Sequence, residues 1–223
     1  MNDRLAEARE ARDRYRGVRH RDEWGLEFSR IVAFSDGVFA IAITLLALTI
    51  EVPKDLPASK SVGDVLWDRR GDLIAYGVSF AVLGRLWLTH HRFFSSLERF
   101  DGALMGLNIL YLAWVAMVPV TSDVLGDFGE QSTGVILYAA NLLGLTTTFA
   151  ISIYYSYRAR LFKPQVAEME RRFAGPSTTV IAAVFALSIP VAIVSPEVAT
   201  AMWLSIFLVG WRAGDIFARL RYR

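Results

Sequence analysis

The chain has 223 residues, of which 54% are hydrophobic, with no cysteine and a formal charge of +2; its mean hydropathy is +0.36. That is too apolar for an ordinary soluble domain of this length and predicts an all-α, polytopic membrane protein. Absence of cysteine excludes disulfides, thiol catalysis and Cys-based zinc sites.

Residues 1–29 lack the apolar core of a secretory signal peptide. Seven arginines and seven acids interleave there, which predicts a solvated cytoplasmic tail, helical in part through i,i+4 ion pairs. The matched acids argue against a nucleic-acid-binding arm. A membrane-crossing helix needs about 20 mostly apolar residues. Six stretches qualify: 30–50, 72–92, 102–120, 133–157, 174–195 and 198–218. They define one transmembrane domain over 30–218, followed by a short basic cytoplasmic end at 219–223. No internal repeat is visible. Pro53, Pro164, Pro176 and Pro196 fall in or beside connections, Pro119 ends the third span, and Pro190 lies inside the fifth.

Orientation follows from the connections. Of the 24 Lys and Arg, 19 fall on the side that holds both termini, and four fall in the loop between the first two spans. Both termini are therefore expected in the cytoplasm. The remaining cation, Arg85, lies inside the second span.

Charges within a span face other helices or a water-filled cavity. Asp36, Arg85 and Asn108 lie six or seven residues, about 9–10 Å, from the same membrane face. Arg30, Ser35, His90 and His91 lie in or just below that layer. Two roles are open for it. An Asp36–Arg85 pair with Asn108 as donor would fasten helices together; alternatively, Asp36 serves as a proton relay or ion ligand. The adjacent His90 and His91 point about 100° apart on a helix, so one metal ion does not readily take both. No metal site is expected, although either imidazole can titrate near neutral pH. No H-E-x-x-H motif and no nucleophile–base set is present, so no enzyme is expected.

On the first span, Ile41, Leu45 and Leu48 share one face, with Thr44 beside them. Such a stripe in a membrane helix is normally lipid-facing or core, and the pattern by itself does not favour a pore-lining role. The run Arg30-x-x-x-Phe34-Ser35-Asp36-Gly37-Val38-Phe39-Ala40-Ile41-Ala42-Ile43-Thr44-Leu45-Leu46 resembles the first-helix signature of the transmembrane-protein-175 potassium channels. The resemblance extends through Trp87-x-x-His90-His91-x-x-Phe94 and the Asn108 and Pro119 region, whereas the last three spans match only in hydropathy. It implies a potassium-permeable channel with six helices per repeat and the first helix lining a central pore. A single Arg-x-x-x-Phe-Ser-Asp implies the prokaryotic kind: a homotetramer in the cell membrane, with potassium as permeant ion, lipid as surroundings and no cofactor. By that resemblance Ile41 narrows the pore, Leu45 and Leu48 form further apolar rings, and Thr44 supplies hydroxyls. Arg30, Ser35 and Asp36 then face away from the ions and tie the first three helices together.

An aliphatic ring that excludes water gates by dewetting. The carbonyl-filter sequence T-V-G-Y-G is absent, so modest selectivity is expected. No Arg or Lys lies between Gly134 and Tyr157, so an arginine-rich voltage sensor is missing from the fourth span. The alternative is a proton-coupled secondary transporter using Asp36, although neither repeats nor broken helices speak for it.

Overall fold

The computed structural model describes residues 27–50, 61–68, 70–169 and 174–206. Within them the chain is helical, apart from one isolated antiparallel bridge between Leu97 and Phe162. Helix α1 covers 27–45 and tightens into a 3₁₀ turn over Leu46–Thr49 before Ile50 turns extended. The short α2 (Val62–Asp68) starts with reciprocal bonds: Asp64 N donates to Ser61 Oγ at 3.2 Å, and Ser61 N donates to Asp64 Oδ2 at 2.8 Å. Then follow α3 (Arg70–Ser96), α4 (Gly102–Phe128), α5 (Ser132–Arg158), α6 (Pro164–Met169) and α7 (Gly175–Val194). A further helix, α8, is described over 196–206.

Local chemistry sets the boundaries. Asp101 caps α4 by accepting from Leu104 N at 2.9 Å. At the end of α5, Arg160 takes φ 55°, Leu161 N donates to Ser156 O at 2.9 Å, and Arg160 N donates to Tyr157 O at 3.2 Å. This is a Schellman stop with arginine at the left-handed position. Pro176 opens α7, where a missing N–H costs nothing. Pro119 does not end α4, contrary to the expected boundary at 120; the helix continues to Phe128. Just past the proline, the Thr121 hydroxyl back-bonds to the carbonyls of Met117 (3.1 Å) and Val118 (3.3 Å).

Helix α5 is the hub, packed on α4 along one side and on α7 along another. The main core gathers Phe39 and Leu46 of α1, Leu83, Phe93 and Phe94 of α3, Tyr111 and Val115 of α4, and Leu145 and Phe149 of α5. A smaller core holds Val135, Ala192 and Ala199. Among the described residues four helices are long and apolar enough to cross a membrane: Glu27–Leu48, Gly102–Phe128, Ser132–Arg158 and Gly175–Val194. Helix α3 overlies the expected second span. Its 27 residues reach about 40 Å, but Asp72, Arg85 and Arg92 make it more polar than the other four. Most of the expected sixth span, the bulk of the 1–29 tail and the 219–223 end lie outside the described residues.

Candidate functional site

Helix α1 is largely apolar, yet it has two distinct faces. Ser35, Phe39, Ala42 and Leu46 recur at i, i+4, i+7 and i+11 and are buried against the bundle. On the opposite face the single chain leaves Ile41 60% and Leu48 75% exposed, with Leu45 and Phe34 also open. Thr44 lies on this open face and donates its hydroxyl proton to Ile41 O at 2.9 Å. Its remaining oxygen lone pairs are therefore free to accept from water or face a cation.

The buried face is pinned by a directed chain of hydrogen bonds. Ser35 Oγ donates its one proton to Ile31 O at 2.9 Å. It must then accept from Asn108, whose Nδ2 lies 3.0 Å away. That fixes the amide orientation, so Asn108 Oδ1 faces His90 Nε2 at 2.8 Å. A carbonyl oxygen only accepts, and Nε2 is therefore the protonated nitrogen of His90. The imidazole is clamped by rings: Tyr111 stacks on it at 5.4 Å, Phe94 lies at 4.5 Å and Phe39 at 5.5 Å. Three helices meet here, α1 through Ser35, α3 through His90 and α4 through Asn108.

Asp36 is held differently from the expected ion pair. Its Oδ1 accepts from Trp87 Nε1 at 2.8 Å, and Arg85 is exposed. Residues two apart on a helix point about 200° apart, so the face of α3 that offers Trp87 to Asp36 turns Arg85 away. The structure thus corrects the Asp36–Arg85 pairing. Arg30 and His91 are also exposed, and His91 lies against Trp87 with ring centres 5.6 Å apart. Trp87 was not foreseen as a partner. The available signal was its indole donor one helical turn before His90.

Two further polar features were not foreseen. Ser79 and Ser122 share a 2.6 Å hydrogen bond between α3 and α4, and Asn141 Nδ2 donates to Thr121 Oγ1 at 3.0 Å. At the opposite end, the loop before α4 is stapled to the loop after α5. Glu98 N donates to Leu161 O (2.9 Å), Lys163 N to Ser96 O (3.0 Å) and Lys163 Nζ to Ser95 O (2.8 Å), while Tyr155 Oη donates to Asp101 Oδ2 at 2.6 Å. Phe28 packs on Phe94 and Phe100 of this staple, which ties the start of α1 to it. Among the described residues no group of three or more His, Asp or Glu could hold a metal ion.

Residues 30–119, which carry α1, α3 and most of α4, match the family model described as endosomal/lysosomal potassium channel TMEM175. A potassium channel of Streptomyces collinus is 39% identical over 150 residues, 63% of this chain and 70% of that protein. The chain belongs to the TMEM175 family. The endosomal/lysosomal proton channel TMEM175 of Gallus gallus is 33% identical over 137 residues, 58% of this chain but 27% of that one. The crystal structure of a lysosomal potassium-selective channel TMEM175 homolog from Chamaesiphon minutus superposes with a TM-score of 0.70 at 27% identity, covering 84% of this chain and 98% of that one. The all-helical architecture is therefore the TMEM175 channel fold, and the chain is a multi-pass membrane protein.

Proposed function

We propose that the chain is a potassium-permeable channel, with six membrane helices, both termini in the cytoplasm of a prokaryotic cell and the transmembrane domain spanning 30–218. One observation carries the reading: the helix bearing the family signature buries Ser35, Phe39 and Leu46 and leaves Ile41, Leu45 and Leu48 uncovered in the single chain. A bundle anchored on one side and bare along an aliphatic strip on the other is suited to assemble around an axis. Four copies would close a ring of Ile41 side chains too apolar to hold water, a constriction that opens when the helices rotate or spread. Thr44 oxygens one turn on would replace part of the hydration shed by the ion. Discrimination then rests on pore width and dehydration cost, and is modest. The channel needs no cofactor and has no enzymatic role. Arg30, Arg85 and His91 lie outside the Ser35–His90–Asn108 anchor, which fixes α1 without touching the ion.

The test is single-channel recording from purified protein in planar bilayers, with potassium on one side and sodium on the other. Unitary currents reversing toward the potassium equilibrium potential are the expected result. The competing reading, proton-coupled transport through Asp36, predicts saturable exchange in vesicles that stops with Asp36→Asn. That result, without unitary currents, would overturn the channel. A pH gradient across the same bilayers reads proton permeation, relevant because the Gallus gallus relative is named a proton channel.

A further inference from the structure

Among the described residues, away from α1, an open groove of about 480 Å³ runs between the last two turns of α5 and the first two turns of α7. Its volume falls within the roughly 300–1,000 Å³ of small-molecule sites. The walls are Ile153, Tyr154 and Tyr157 from α5 and Gly175, Thr179 and Ala183 from α7. From Gly175 to Ala183 the groove descends about 12 Å into the bundle at 1.5 Å per residue. Its interior is predominantly hydrocarbon, with tyrosine hydroxyls and Thr179 supplying polar atoms. Tyrosines at the end of a membrane helix mark the headgroup level.

The rim is cationic and ordered. Arg158 lies over the Tyr154 ring with its guanidinium carbon 5.5 Å from the ring centre, and its Nη1 donates to Tyr154 Oη at 3.1 Å. Arg158 is thus held beside the mouth of the groove and keeps further guanidinium donors for another acceptor. The same end carries Arg99, bonded to Arg160 O at 3.5 Å, and Lys163, bonded to Ser95 O. Of the acids at this end, Asp101 is occupied by Tyr155 and the α4 cap, and Glu27, Glu98 and Glu168 are exposed. An apolar slot of acyl-chain depth under a fixed guanidinium matches one molecule, a lipid with an anionic headgroup. Basic pockets between membrane helices bind such headgroups.

We propose that the α5–α7 groove is a binding site for an anionic phospholipid, its acyl chain between Ile153 and Ala183 and its phosphate on Arg158. The site requires membrane embedding but not conduction, so it stands or falls separately from the channel reading. Phosphatidylglycerol and phosphatidylcholine, each with a photoreactive diazirine acyl chain, are incorporated in turn into nanodiscs with the full-length protein, and labelled peptides are read by mass spectrometry. The expected result is labelling of 150–157 and 175–183 by phosphatidylglycerol about fivefold above phosphatidylcholine, the weight of one basic side chain at an anionic headgroup. Arg158→Gln, an exposed change, should bring phosphatidylglycerol down to the phosphatidylcholine level. Ala183→Trp, which fills the groove, should abolish labelling by both. Equal labelling by the two lipids, or labelling indifferent to Arg158→Gln, overturns the proposal. So does cross-linking of this face to a second copy of the chain in place of lipid.

Discussion

Asn108 uses both ends of its amide on two other helices, donating to Ser35 and accepting from His90. With Asn108→Leu, Ser35 loses a donor and His90 Nε2–H loses its acceptor. Leaving buried polar groups unpaired costs about 1–3 kcal/mol each, so a loss of about 2–6 kcal/mol is expected, visible as a lower midpoint when detergent-solubilised protein is heated and its monodisperse fraction followed. Ile41 sits at the opposite extreme. Because its side chain is open in the single chain, Ile41→Asn should leave folding intact and, if Ile41 forms the proposed constriction, raise resting ion leak in reconstituted vesicles, since a polar ring would wet it. Unchanged leak in correctly assembled protein would point to a non-conducting scaffold. Sequence reading singled out Ser35, Asp36, His90 and Asn108 by depth alone. The one pairing it offered, Asp36 with Arg85, missed because depth says nothing about azimuth. Asp36 meets Trp87 rather than Arg85, two residues and over half a helical turn away.

Between elements, the tightest approach is that of α4 and α5. A Cβ built on Gly144 would lie 2.6 Å from Trp114 Cε2 and 2.8 Å from its Cζ2. Only glycine allows the indole to lie against the α5 backbone. Gly144→Ala should cost about 1–3 kcal/mol by overpacking, and Trp114→Leu in the same chain should recover part of that loss. Such non-additivity in a double-mutant cycle is the signature of a direct contact. The sequence marked α4 and α5 as separate apolar spans and placed α5 and the start of α4 well. It could not reveal that Gly144 serves Trp114, since glycine in a membrane helix reads equally as a close contact, a kink or an accident. The extent of α4 was also hidden: Pro119 signals a stop in water, but a proline is tolerated inside a membrane helix within a bundle, and the helix runs on.

For the molecule as a whole, the open question is what covers the bare side of α1. The chain has no native cysteine, so a single introduced thiol reports proximity between copies without background. If the α1 helices converge on an axis, Ile41→Cys should form disulfide-linked dimers readily under mild oxidation in membranes. Val194→Cys, at an α7 position 88% exposed, should not. Equal and slow cross-linking at both sites would place α1 against lipid. Composition and hydropathy determined by themselves that this is a helical membrane protein, because a backbone in hydrocarbon must satisfy its hydrogen bonds within each helix and the required lengths of apolar sequence are unmistakable. The Arg30-to-Leu46 signature likewise carried the family. What only the tertiary structure decided is which side of each apolar helix is inside. In a bilayer both lipid and protein core are apolar, so the periodic contrast that orients a helix in a soluble protein is weak. For α1 that choice is made by one serine, one histidine and one asparagine finding each other across three helices.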